Sequence, residues 1–299
     1  MKENIEAVCF GEILYDVFPD RERIGGAPLN VAYRLSASGI KTELISRIGA
    51  DQKGKDILDY LKRNNVGTEN IETDATYPTG LVNVSLSGSG SATYEIAYPS
   101  AWDKIVVSKS SLDAVKKADV FIFGSLVCRD EISRNTLFEL IKSVGYKVFD
   151  INLRPPHYQK EVLQHLMKQA DFIKFNDDEL FEIAALMGSP YNSLEQNLLF
   201  ISEKTNTQSI CVTKGRHGAV LLTDGKLFYN SGYQISVKDT VGAGDSFLAS
   251  LIAKLLTREK PQVALDYACV VGALVAGSEG ANPKLGKEKI KKFMFPLDF

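Results

Sequence analysis

A chain of 299 residues with 35 Lys and Arg against 37 Asp and Glu has a formal net charge of −2, which lacks the basic footprint of a nucleic-acid binder and favours a small, diffusing partner. Cysteines at 9, 128, 211 and 269 form no CxxC pair and have three histidines beside them, so reduced, mostly buried thiols are expected rather than a zinc site. Lys2 is followed by Glu3 and Glu6, and the most apolar later run, Val263 to Ala276, is broken by Asp266; the expectation is a cytoplasmic chain without export or membrane insertion.

In chain order, Gly25-Gly26-Ala27-Pro28-Leu29-Asn30 opens a helix that runs to Gly39, with Pro28 near its first turn. Amides exposed by the two glycines, with Asn30, suit hydrogen bonds to hydroxyls; a tight turn without a ligand is the alternative. Asp16, after Gly11-Glu12-Ile13-Leu14-Tyr15, is placed to clamp two vicinal hydroxyls or to be a plain loop acid. Gly49-Ala50-Asp51-Gln52-Lys53-Gly54-Lys55-Asp56 nearly spells a P-loop, but Asp56 stands where the Mg²⁺-binding hydroxyl belongs, so the stretch reads as a solvated helix start. Leu81–Leu86 and Thr93–Ile96 flank a Ser/Gly turn around Gly88 and Gly90 and predict a hairpin, either an edge or a lid. From about residue 115, strands at Ala118–Phe123, Lys147–Ile151, Phe172–Phe175 and Ser209–Thr213 alternate with helices at Ile132–Val144, Glu161–Gln169 and Glu179–Met187, the last closed by Gly188. That alternation predicts a layered α/β fold, and no linker or repeat divides it.

Polar groups cluster just past these strands: Asp150, Asn152 and Arg154; Asn176 and Glu179; Thr213, Lys214 and Gly215. The carboxyl ends of strands are where open α/β sheets bind ligands. The most informative stretch is Asp239-Thr240-Val241-Gly242-Ala243-Gly244-Asp245-Ser246, which runs straight into an apolar helix at Phe247. Small residues at a helix N-terminus let backbone amides approach an anion. A carboxylate there repels the anion unless it has a separate task, and proton abstraction from an attacking hydroxyl is such a task for Asp245; the bland alternative makes Asp245 the N-cap. Phe247 replaces the third glycine of a dinucleotide fingerprint, which argues against a Rossmann cofactor.

Taken together, Gly25-Gly26…Asn30-Val31-Ala32 and Asp239-Thr240-Val241-Gly242-Ala243-Gly244-Asp245 resemble the two signatures of the ribokinase, or phosphofructokinase-B, family of carbohydrate kinases. Asn176-Asp177-Asp178-Glu179 looks like that family's Asn-x-x-Glu element, and Thr213-Lys214-Gly215 like its nucleotide loop. Within the family the chain is similar to bacterial fructokinases through Gly11 to Pro19, Pro78-Thr79-Gly80, Ala101-Trp102-Asp103 and Asp150 to Pro155. The resemblance implies one ribokinase-like domain over 1–299, a three-layer αβα core with a mostly parallel central sheet and a β lid from about 12–24 and 74–102. It implies Asp245 as catalytic base, with Gly242, Ala243 and Gly244 as the anion hole. Asp16, Gly26 and Asn30 would hold the sugar, assisted by Asn152 and Arg154. Asn176, Glu179, Thr213, Lys214, Gly215 and Cys269 would face ATP, with Glu179 acting on Mg²⁺ through water. Backbone near Asp239, Val241 and Ala276 to Gly280 would hold a monovalent cation such as K⁺, and the lid would pair in a homodimer. ATP-dependent phosphorylation of fructose is the expected activity; another acceptor such as ribose or 2-keto-3-deoxygluconate, and a silent sugar- and nucleotide-binding regulator, are the alternatives.

Overall fold

The computed structural model describes residues 5–86 and 92–295, which form two compact units, 1–145 and 146–299. In the first, β1 (Glu6–Phe10), β4 (Lys41–Gly49) and β9 (Val120–Gly124) run parallel with β1 in the middle, Cys9 lying level with Leu44 and Ile122. Their apolar runs are buried almost throughout, as expected for parallel strands covered on both faces. Two short strands, β5 (Val66–Gly67) and β6 (Ile71–Asp74), extend β4 in parallel at different levels.

A separate four-stranded sheet is built from β2 (Leu14–Val17), β3 (Glu22–Gly25), β7 (Gly80–Leu86) and β8 (Ala92–Ile96), in the order β3-β2-β7-β8. The antiparallel pairing of β7 with β8 is the expected hairpin; its turn at Gly88 and Gly90 lies outside the described residues. Leu14, Val82 and Val84 form the apolar face, packed by Phe18 and Ile96. Asp16, two residues from Leu14 and level with Val82, shares that face, so period-2 patterning places an acid among apolar neighbours.

Helix α1 (Ala27–Ala37) begins after Gly26, whose φ of 109° no other residue adopts without strain. Helix α2 (Gln52–Arg63) shows why Gly49 to Asp56 is no P-loop. Asp51 caps it by accepting from the Gly54 amide at 2.8 Å, and also accepts the Thr79 hydroxyl at 2.7 Å, while the Gly49 amide donates to that same hydroxyl at 3.0 Å. Amides that would cradle a phosphate are thereby spent internally. Burial pushes the Asp51 carboxyl up, but the hydrogen bonds from Thr79 and Gly54 outweigh it and hold it below its ordinary value. Beyond α2, a 3₁₀ turn at Ala101–Lys104 leads to α3 (Lys109–Lys117), and α4 (Glu131–Leu140) follows β9.

In the second unit, β10 (Lys147–Asp150), β11 (Phe172–Asn176) and β12 (Ser209–Thr213) are parallel neighbours, and β13 (Ala219–Thr223) and β14 (Lys226–Asn230) add an antiparallel hairpin. The hairpin turns at Asp224-Gly225, both at positive φ, as a two-residue turn of this type demands. Helices α5 (Lys160–Gln169), α6 (Asp177–Leu186) and α7 (Leu194–Thr205) connect the parallel strands. The apolar helices α8 (Ala243–Leu256) and α9 (Pro261–Ala276) pack on each other, and α10 (Lys287–Met294) lies against α9. No helix among the described residues is long and apolar enough to cross a membrane. All four cysteines are free and buried, as expected; burial pushes the Cys128 thiol up to about 12.

The fructokinase-like segments of the first unit meet one another. Trp102 is fully buried, and a Cβ on Gly80 would stand 2.4 Å from its Nε1. Arg129 lies 4.0 Å over the Trp102 ring and donates to both oxygens of Asp103, at 2.7 and 2.8 Å. Gly80→Ala is therefore expected to cost about 1–3 kcal/mol through overpacking, measured by urea unfolding. Gly145→Ala, where a Cβ meets nothing within 4 Å, is the control and should stay within about 0.5 kcal/mol.

Candidate active site

In the second unit the start of α8 carries the glycine turn and the candidate base. Gly242 is the N-cap, at φ 75°, and the Ala243 amide donates back to the Thr240 carbonyl at 3.2 Å to close the turn. A Cβ at 242 would stand 2.5 Å from that of Ala281, so glycine is required there both for its φ and for its size. Because the helix starts at Ala243, Asp245 sits within its first turn. This removes the N-cap alternative for Asp245 and leaves a carboxylate where the helix dipole favours negative charge.

Asp239 staples this turn to the exit of α9. Its Oδ1 accepts from the Val241 amide at 3.0 Å and its Oδ2 from the Gly280 amide at 3.2 Å, while its own amide and that of Lys238 donate to the Ala276 carbonyl. Asp239, Val241, Ala276 and Gly280 are thus tied into one knot. Where α9 passes α8, a Cβ on Gly272 would lie 3.4 Å from the Ala243 carbonyl oxygen, so small residues on both helices permit the close approach.

The carboxyl ends of β10, β11 and β12 supply the remaining polar groups. Asn176 lies level with Thr213 across β11 and β12, and Asp150, Lys174 and Cys211 form another row across the three strands. Asn176 and Glu179 make a reciprocal capping box at the start of α6: the Glu179 amide donates to Asn176 Oδ1, and Glu179 Oε2 accepts from the Asn176 amide, both at 2.8 Å. Glu179 Oε1 accepts from the Leu153 amide at 2.9 Å, tying the helix to the loop after β10. Burial pushes the Glu179 carboxyl above its usual value, with Lys174 pulling the other way.

Sequence reasoning missed Lys174. Its ammonium donates to Asp150 Oδ1 at 3.0 Å, and both side chains are buried. Burial favours loss of the proton, but the carboxylates of Asp150 and Glu179, and further down Asp245, hold it charged above the usual lysine range. The signal was available, because a lysine inside Phe172-Ile173-Lys174-Phe175 interrupts an apolar strand.

Other candidates are more scattered. Asn152 adopts a positive φ of 39°, and Arg154 is exposed with its guanidinium on the Leu153 carbonyl at 2.9 Å, apart from the buried cluster. Thr213 donates to the Phe175 carbonyl at 3.3 Å; Lys214 and Gly215, at φ 52°, begin a tight loop closed by the Lys214 amide on the Gly218 carbonyl at 2.7 Å. Cys269 on α9 is buried, its thiol pushed up to about 12 by burial, then by Asp266, with Lys214 opposing. In the first unit, Asp16, Gly26 and Asn30 converge on the start of α1. A Cβ on Gly25 would strike Asp16 Oδ2 at 2.4 Å, and the buried Asn30 donates its amide to the Gly26 carbonyl at 3.0 Å.

Known proteins give this arrangement a context. Fructokinase-2 of Oryza sativa subsp. japonica is 30% identical, over 93% of this chain and 90% of its own. A sugar kinase of Pyrococcus horikoshii, solved in complex with ATP, superposes with a TM-score of 0.81 at 26% identity, covering 97% of this chain and 100% of the other. The fructokinase of Vibrio cholerae O395, in fructose-, ADP- and calcium-bound form, has a TM-score of 0.83 at 24% identity over 97% and 99% of the two chains. The fold is therefore ribokinase-like. With residues 4–287 matching the pfkB carbohydrate kinases, the chain belongs to that family and is a sugar kinase, a phosphotransferase with an alcohol group as acceptor.

Proposed function

We propose that the chain is a fructokinase, converting ATP and D-fructose to ADP and D-fructose 6-phosphate with Asp245 as general base. The observation that carries the chemistry is the place of Asp245, a carboxylate on the first turn of α8 directly after the Gly242–Gly244 turn. From there it takes the proton of the acceptor hydroxyl, while the helix N-terminus receives the charge of the transferring phosphoryl. Fructose as acceptor is supported by the fructokinase relatives that match nearly the whole chain.

On the first unit, Asp16 is the clamp for vicinal hydroxyls, with Gly26 and Asn30 beside it. The four-stranded sheet that carries Asp16 serves as the lid of this sugar site and, in a homodimer, as the pairing surface. On the second unit, Asn152 and Arg154 are further substrate contacts, and Thr213, Lys214, Gly215 and Cys269 line the nucleotide groove. The oxygen donors fit a hard divalent cation: Glu179 is a buried carboxylate at the start of α6, with the Asn176 side-chain oxygen beside it. No group of three or more His, Cys, Asp or Glu among the described residues is arranged to hold a metal ion, so Mg²⁺ would be carried mainly by water and phosphate oxygens, with Asn176 and Glu179 acting through water. When bound, it neutralises charge on the phosphates. K⁺ would sit at the Asp239 knot and buttress the turn.

Three outcomes are expected. ADP release across a sugar panel should give fructose a higher kcat/KM than ribose, glucose, adenosine or 2-keto-3-deoxygluconate; equal or better turnover of any of these overturns the acceptor. Asp245→Asn should lower kcat by about 10²–10⁴ while calorimetric fructose affinity changes far less; retention of more than roughly a tenth of kcat removes Asp245 from the role of base. Gly242→Ala, which forces a Cβ onto Ala281 at a positive φ, should cost about 1–3 kcal/mol of stability and depress kcat more than ATP affinity. Wild-type turnover in that variant would show that the turn is not used.

A further inference from the structure

Lys174 has no part in the reading above, yet it is a charged side chain at 6% exposure in the second unit's sheet. Charged residues are almost never buried this deeply unless they are paired. Its neighbours on β11, Ile173 and Phe175, are fully buried, and strand register sets it between Asp150 on β10 and Cys211 on β12. One of its three N–H donors is spent on Asp150 Oδ1 at 3.0 Å. The same Nζ lies 3.5 Å from the point where a Cβ on Gly244 would stand. The ammonium therefore reaches the underside of the turn that begins α8, one residue from Asp245.

The charges around this point are Asp150, Glu179 and Asp245 on the acidic side and Lys174 on the basic side. A phosphoryl group arriving at the turn would meet the field of three carboxylates if the ammonium were absent. Interactions between charges away from bulk water are several-fold stronger than in it, so the helix N-terminus would work against a large opposing field.

We propose that Lys174 is a positioning residue for phosphoryl transfer: held by Asp150 against the underside of Gly244, its ammonium offsets the surrounding carboxylates and favours the negative charge that grows on the transferring group. It acts through the turn, without touching the sugar, and Asp150 is the clamp that fixes it. The proposal rests on the kinase reading of the α8 turn. A purely structural ion pair, tying β10 to β11, is the rival account.

The test removes both charges together, in Lys174→Met combined with Asp150→Asn, so that no buried charge is stranded. Circular dichroism and thermal melting establish the fold. Kinetics and calorimetry then compare ATP with ADP plus fluoroaluminate, which mimics the transferring phosphoryl, in the presence of fructose. The expected result is a fall in kcat of about 10–10²-fold, with an equal loss of affinity for ADP–fluoroaluminate and a change in ATP affinity of less than about threefold. Retention of more than about a third of kcat, or equal losses for ATP and the mimic, overturns the proposal. Should the double variant not fold, Lys174→Gln alone, whose amide still bonds to Asp150, is read by the same criteria. Fluoroaluminate binding involves no proton removal, so an active Asp245→Asn would sink the base while leaving this comparison intact. Conversely, an inactive Asp245→Asn beside an unperturbed Lys174 variant would sink this proposal alone.

Discussion

The start of α8 is held by a steric constraint on which the chemistry of the second unit depends. Gly242 stands at φ 75° with Ala281 packed where its side chain would be, and the two hydrogen bonds of Asp239 lock Val241 to Gly280. Neither end of this knot can move without the other. The helix N-terminus therefore has a fixed origin and direction, and so do the amides that follow it. Asp245 inherits its position from that origin, and so does the approach of Gly244 to Lys174.

Buried charge is handled in two ways in this molecule. Around Trp102, Arg129 donates to both oxygens of Asp103 and to the Ala97 carbonyl at 2.6 Å, while the buried indole Nε1 is left without a hydrogen-bond partner among the described residues. Around Lys174 the pairing is incomplete, since Asp150 leaves Oδ2 without a protein partner and two further acids act on the same ammonium. A carboxylate with both oxygens engaged rigidifies the fold around it, whereas a buried oxygen left over leaves acceptor capacity in place.

Several motifs turn out to have an architectural meaning beside their chemical one. Asn176 and Glu179 cap α6 reciprocally, so the same two side chains that face the phosphates in the kinase reading also fix the helix that presents them. Pro78-Thr79-Gly80 and Ala101-Trp102-Asp103 belong to one packed assembly in which Gly80 makes room for the indole and Thr79 binds Asp51.

The sequence alone determined the alternation of strands and helices after residue 115, the hairpin strands at 81–86 and 93–96, the failed P-loop, and the glycine turn ahead of Asp245. Each is a local property: periodicity, a missing hydroxyl, or a residue type that the backbone requires. Only the tertiary structure decided that Asp245 lies inside the first helical turn rather than capping it, because that depends on Ala281 arriving from 39 residues further along the chain to fix Gly242. It alone disclosed Lys174, whose meaning comes from strand register with Asp150 and from the approach of Gly244 out of another element. Charge and proximity across elements leave no trace in spacing along the chain, so a lysine in an apolar strand was visible as an anomaly while its partners were not.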